Sequence, residues 1–516
     1  MTEPHRRRRR ALLALAGLTG ATLVSVALPS GPAAAHNAPT FLLPGNLLVS
    51  RTVYEGTAGL LTPGTTMLPP GCTGSNCVTA TDNGSYPGVW NNDVADGNFG
   101  VTAPIFLDQI TPDGRYLGTV PVPTQDLVTS FSSKSEIALN LSTDGRFITF
   151  MGYAAPVNGV DVSNSNTPGA VDPTNPVPGS NYRAVAQLDS FGHFTFTETN
   201  AYSGNNGRAA ILDDSNGADV YYTSGNGGNG GNPQPASIIT GTGAQLVTPS
   251  RLPERLQQPG ATTPLGSFNI TQLGDKADKI GKDTNFRGLT VFDNVVYFTK
   301  GSGGNGVNTV YFIDTTGKAC PAGVGVPQPG AALPTKPLSF DPATVQQTGL
   351  PNNMCVLAGF PTALKSATSF PFGVWFANPN TAYVTDEGNG DTTFSTATGT
   401  YTTAAGQTTA GLQKWVRTNG VWHLAYTLAN GLNLGVPYQL HGYPTGDNAA
   451  TGLPWAPATD GLRNLTGRVN RDGTVTLWAI TSTVSGNGDT GADPNKLVAI
   501  TDRVSATTAA QQRFTT

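Results

Sequence analysis

The chain has 516 residues, of which 64 are Gly and 39 Pro, with only 12% charged and a formal net charge of −4. Scarce helix formers beside abundant Thr, Asn, Val and Gly argue against a helical protein and for strands joined by tight turns. A hydrophobic content of 38%, with 21 Phe, 15 Tyr and 6 Trp, is enough to bury a core, which excludes disorder of the whole chain. The mild acidity argues against a nucleic-acid partner, which would need clustered Lys and Arg.

Residues 1–35 read as a signal peptide. Arg6 to Arg10 precede an apolar run from Ala11 to Leu28, and Ala33, Ala34 and Ala35 supply the small residues of a cleavage site. The run Arg9-Arg10-Ala11-Leu12-Leu13 resembles a twin-arginine signal, with the general secretory route as the alternative. As a membrane anchor the stretch is marginal, because Gly17 and Gly20 interrupt it and Pro29 and Pro32 close it. Its removal, with five Arg and one Glu, takes the formal charge from −4 to about −8. The expected product, residues 36–516, is a secreted extracellular monomer with no membrane span.

From the amino end, Asn46 to Tyr54 forms a long strand, and Ile105 to Ile110 pairs with Tyr116 to Val120 across the turn Pro112-Asp113-Gly114. A unit of about four strands then recurs, with copies starting at Ser135, Gly207, Phe286, Phe370 and Leu462. The first copy runs Ile137 to Leu141, Phe147 to Phe150, Tyr182 to Leu188 and Phe194 to Phe196. The second has Ala209 to Leu212, Val220 to Thr223, Ser237 to Thr240 and Gln245 to Thr248, and the third Gly288 to Val291, Val295 to Thr299 and Thr309 to Asp314. The fourth holds Val374 to Phe376, Ala382 to Thr385, Leu412 to Val416 and Trp422 to Thr427, and the fifth Leu465 to Val469, Thr474 to Ile480 and Lys496 to Ile500.

Six such units suit radial closure, because a four-stranded sheet cannot bury both apolar faces alone. The expected fold class is therefore all-β, a single β-propeller with six blades. Seven is the alternative, since the spans Tyr54 to Ile105 and Cys320 to Phe370 have room for further strands; an array of β-sandwiches is another. Closure is expected where the amino-terminal strands meet Gln512-Arg513-Phe514. Four cysteines in an exported chain imply disulfides, and proximity pairs Cys72 with Cys77 and Cys320 with Cys355. Zinc is the alternative, although no His lies near either pair.

The segments Pro44 to Arg51, Ile105 to Gln109, Leu141 to Arg146 and Ser203 to Arg208 resemble those of a group of exported bacterial propeller-like proteins, mostly uncharacterised. The likeness spans most of residues 44–516. It implies the fold and no catalytic residue.

In a propeller the starts of the inner strands ring one mouth of the channel. Glu136, Arg208 and Arg287 hold nearly equivalent repeat positions there, with Arg463 aligned less securely. Converging arginines suit a carboxylate, sulfate or phosphate, whereas the plainer reading has each Arg satisfying carbonyls or a carboxylate of the next blade. His441, between Tyr438 and Tyr443, is the best lone acid–base candidate. Asp386, Glu387 and Asp391 offer three carboxylates to calcium, or form an ordinary acidic turn. Trp375, Trp415 and Trp478 fall within strands and are expected to pack between blades; Trp90 and Trp455, in loops, are the better sugar platforms. The expected function is an extracellular binding or scaffold module for a glycan or small anion. The alternative is an extracellular hydrolase or lyase using Arg208, Arg287, Glu136 and a bound cation.

Overall fold

The computed structural model describes residues 41–54, 61–68, 72, 77–81, 84, 100–130, 137–168, 177–226, 243–249, 265–267, 269–270, 285–301, 307–320, 322–328, 333, 352–363, 368–488 and 490–516. The signal-peptide region, Glu136, Trp90 and Ser237 to Thr240 lie outside these residues.

The protein is nearly all β, and its main sheets are antiparallel. Among the described residues, six sheets of three or more strands follow one another along the chain. The first sheet comprises Leu47–Thr52, Ile105–Ile110 and Tyr116–Pro121. The second comprises Asn140–Leu141, Phe147–Tyr153, Arg183–Asp189 and Phe194–Thr199. The third contains Gly207–Asp213, Val220–Gly225, Ala244–Val247 and Leu265–Ser267.

The fourth runs Leu289–Phe292, Val295–Lys300, Thr309–Ile313 and Asn352–Leu357, with Asn269–Ile270 and Val324–Gly325 added in parallel to the last of these. The fifth consists of Pro371–Asn378, Thr381–Asp386, Gly411–Thr418 and Val421–Leu428. The sixth consists of Ala458–Val469, Thr474–Val484 and Leu497–Arg503.

Local chemistry sets the hairpins. Phe292 pairs with Val295 across Asp293-Asn294, and Thr418 with Val421 across Asn419-Gly420. All four turn residues have positive φ, the two-residue geometry whose twist matches that of its strands and which Asn, Asp and Gly adopt most readily. Burial follows position. Ile105–Ile110 alternates buried and half-buried side chains, as expected of a strand with one covered face. Val220–Gly225, Val295–Lys300 and Thr309–Ile313 are buried throughout, because neighbouring sheets cover both faces.

Apolar clusters fill the seams between consecutive sheets. Ile105 and Leu107 meet Phe150 and Ala184 between the first and second. Met151 and Val185 meet Ala210 and Tyr221 between the second and third. Tyr222, Phe298, Val374 and Trp415 belong to one core running through the third, fourth and fifth, and Tyr383 and Leu412 meet Leu477 and Ile500 between the fifth and sixth. The sixth sheet also reaches the first: Trp478 Nε1 donates to the Pro112 carbonyl at 3.3 Å, and Val101 packs with Tyr54 and Ala492.

A hydroxyl on the second strand of a sheet repeatedly donates to a carbonyl at the next sheet's first strand. Thr149 reaches Ala210 O at 2.6 Å, Ser224 reaches Arg287 O at 3.0 Å, Thr299 reaches Phe372 O, and Thr385 reaches Arg463 O at 2.5 Å. The same Thr299 and Thr385 oxygens accept the amide hydrogens of Gly288 and Gly373, each at 2.7 Å. A Cβ on Gly288 would collide with the Phe372 carbonyl, so this close approach requires glycine.

Three expectations change. The fourth strand of the third sheet lies at Leu265–Ser267, where the repeat spacing pointed to none, and that of the fourth sheet at Asn352–Leu357, within the span Cys320 to Phe370 that had room for one. The span Cys320 to Phe370 adds strands to the fourth sheet, and the span Tyr54 to Ile105 holds short two-stranded pairings such as Met67–Leu68 with Val78–Thr79. Among the described residues the carboxyl end pairs with the sixth sheet rather than with the amino-terminal strands: Thr515 bridges Ala499 of Leu497–Arg503, and Phe514 N donates to Asn430 O. Both disulfides form as paired above, Cys72 with Cys77 and Cys320 with Cys355, the latter fastening residue 320 to the fourth sheet. No helix among the described residues is long and apolar enough to cross a membrane, which leaves β-barrel insertion unaddressed.

Candidate functional site

The first strands of all six sheets meet around one cavity of about 670 Å³. Each of these strands is terminal in its sheet, so one edge of its backbone has no sheet partner. The wall is partly apolar, with Leu48, Leu139, Leu289, Val374 and Leu465, and partly polar, with Asn46, Asn140, Thr290, Asn464 and Thr466. Its one charged lining residue among those described is Asp293, in the turn after Phe292.

The three arginines are not among the lining residues. Arg208 is 4% exposed, and its Nη1 donates to Asn285 Oδ1 and to Phe286 O at 3.2 Å, tying the third sheet to the start of the fourth. Arg287, 7% exposed, and Arg463 both stack on Phe372, 5.9 and 5.8 Å from the ring centre. Arg463 Nε also pairs with Glu387 Oε2 at 3.1 Å. Burial pulls Arg287 below the usual guanidinium range, Glu387 opposes that effect, and Arg463 adds to it. In the repeated clasp Arg287 and Arg463 hold the place taken by Ala210 in the third sheet and Phe372 in the fifth, with Arg208 two residues earlier, and the side chains of all three arginines are engaged in the seams.

The candidate calcium ligands have separate partners. Asp386 is fully buried, accepts the amides of Phe370 at 2.8 Å and Gly388 at 3.0 Å, and is pushed by burial to about 6. Glu387 faces Arg463, and Asp391 is held below the usual carboxylate range by the Thr393 hydroxyl first and then by the Thr393 amide, which donates to it at 2.7 Å. A carboxylate the sequence reading missed, Asp460, clamps the same loop through the Gly390 amide at 2.8 Å and Gln407 Nε2 at 2.6 Å; burial raises it to about 6. No three His, Cys, Asp or Glu side chains among the described residues are arranged to hold a metal ion. His441 is exposed in a turn.

Trp415 and Trp478 are buried in strands, and Trp455 is half-buried in a loop. Trp375 packs against the core between the fifth and sixth sheets, as expected, and also lines the cavity, with Gly467 close against its indole. Asn140, Thr290 and Asn464 were the lining residues that the repeat argument passed over, although all three lie in first strands.

No protein-family model and no curated protein matches the chain. Among solved structures it is similar to the Pyrococcus horikoshii acylaminoacyl peptidase in an orthorhombic crystal form, with 9% identity and a TM-score of 0.24. The match covers 75% of this chain and 49% of that one, so the chain spans about half the length of that protein. At this score the likeness carries no argument about fold or activity.

Proposed function

We propose that the chain is a six-bladed β-propeller, exported through its amino-terminal leader, of the kind the exported bacterial propeller-like proteins exemplify, and that it acts by binding a ligand in the channel where the blades meet. The observation that carries this reading is the convergence of first strands from six successive sheets on one cavity of about 670 Å³. That volume falls within the roughly 300–1,000 Å³ typical of small-molecule clefts. Seam clusters between consecutive sheets and the contact of Trp478 with Pro112 support closure of a ring. The two disulfides support export to an oxidising compartment.

Binding is favoured over hydrolysis because Arg208 and Arg287, the residues an enzyme would need in the channel, are packed into seams. The test is a thermal-unfolding screen of the full chain against small ligands, repeated with Thr290→Trp to fill the channel. A bound ligand raises the unfolding temperature by mass action, and the shift is expected to vanish in the variant. Shifts equally large in Thr290→Trp would overturn the channel as the site.

A further inference from the structure

We infer that the cavity takes a neutral, hydroxyl-rich ligand, namely a saccharide, recognised by Thr290, Asn464 and Asn140 with Trp375 as its apolar wall. This rests on the binding reading above and specifies its ligand.

Three observations point the same way. First, the polar side chains of the wall keep capacity to bond. Thr290 and Asn464 make no side-chain hydrogen bond among the described residues, and Asn140 spends only its amide nitrogen, on Ala138 O at 3.4 Å and Ala210 O at 3.2 Å. Around them run the first strands, each terminal in its sheet, with some of their carbonyls taken by hydroxyls of the neighbouring sheet. An apolar ligand would strip water from these groups without replacing its hydrogen bonds, a cost of roughly 1–3 kcal/mol per group. Hydroxyls both donate and accept, so they satisfy strand edges and amides alike.

Second, an anion finds no counter-charge among the described lining residues. Arg208 and Arg463 are engaged with Asn285 and Glu387, Arg287 is buried over Phe372, and the charged group that does line the wall is the carboxylate of Asp293. A cation would meet that single carboxylate in an exposed turn, with no second acid beside it in the wall. Third, the half-buried Trp375, packed on one side against the sixth sheet, contributes apolar indole surface to an otherwise mixed wall, the kind of surface against which the C–H face of a pyranose packs.

The experiment is calorimetric titration of the full chain with neutral gluco-, manno-, xylo- and N-acetylglucosamine hexasaccharides. Uronate and sulfated oligosaccharides and decanoate serve as contrasting arms, with Asn464→Trp as the channel-filling control. At least one neutral oligosaccharide is expected to bind, and not to bind Asn464→Trp. Thr290→Val and Asn464→Leu, each close to isosteric, are expected to weaken it about fivefold or more while leaving the unfolding temperature of the free protein unchanged. Binding confined to the charged or apolar arms, and abolished by Asn464→Trp, would overturn the saccharide while sparing the channel. Neutral oligosaccharide binding that survives Asn464→Trp, or no binding in any arm, would overturn both.

Discussion

The cavity and the seams that surround it solve opposite problems with the same strands. Among the described residues the cavity wall bears a single charged side chain, Asp293, whereas the seams bury Arg183, Arg208, Arg287, Lys414, Asp386, Asp460 and Asp502. In a seam the charge has fixed partners. Lys414 Nζ lies 3.0 Å from Asp502 Oδ2 and 2.6 Å from Arg503 O, while Tyr383 and Tyr426 donate to the same carboxylate at 2.6 and 2.8 Å. Arg183 likewise donates to Asn181 O, Ser163 O and Asn205 O, all within 2.9 Å, over the ring of Tyr153. A buried charge with a full set of partners fixes how two sheets meet, and a wall left neutral keeps its capacity for a visitor.

The sharpest way to break this contrast is to remove a seam charge. Asp502→Ala leaves Lys414 buried without its counter-ion and is expected to cost about 3–5 kcal/mol by denaturant unfolding. Lys414→Met with Asp502→Leu is expected to recover most of that loss, since an apolar pair of similar size can replace a buried ion pair. A double variant as unstable as the single one would show that the pair is more than compensated burial.

Next in size is a pH effect at Asp493, buried at the edge of the sixth sheet, where Tyr443 donates to it at 2.6 Å. Burial raises its carboxyl to about 6 in the folded protein, against about 3.9 in an unfolded chain. The folded state therefore holds the proton more tightly. Its contribution is present below about pH 4 and is lost as pH rises through 6, on the order of 2–3 kcal/mol. Asp493→Asn is expected to flatten the stability profile between pH 4 and 6 by that amount; a profile identical to that of the parent chain would refute the assignment.

A smaller effect belongs to the hydroxyl clasps. Thr385→Val removes a donor to Arg463 O and an acceptor for Gly373 N, and is expected to cost about 1–2 kcal/mol in the same unfolding measurement. The smallest lies in the wall itself, where Thr290→Val and Asn464→Leu are expected to shift stability by less than about 0.5 kcal/mol. Losses in the wall as large as those in the seams would erase the distinction between them.

Much of the strand inventory was legible because pattern and turn chemistry act locally. Val295 to Thr299 was expected and Val295–Lys300 is found; Ala382 to Thr385 was expected and Thr381–Asp386 is found. What escaped is what long connections hide. Leu265–Ser267 joins its sheet after an insertion that breaks the repeat spacing, so no local period announces it, and Asn352–Leu357 could be expected only as a strand somewhere between Cys320 and Phe370. The candidate site divides in the same way. Arg208 and Arg287 were expected near the start of their first strands, but their orientation toward a seam depends on Asn285 and Phe372, which other segments supply.

Composition, spacing and turn residues by themselves determined an all-β chain of successive antiparallel sheets with two local disulfides, because each of those features depends on neighbours within a few tens of residues. Only the tertiary structure decided that Trp375, Thr290 and Asn464 face a common space while the arginines serve the seams. Which side of a first strand meets a neighbouring sheet and which meets the cavity is set by packing between sheets, and no local pattern encodes that choice.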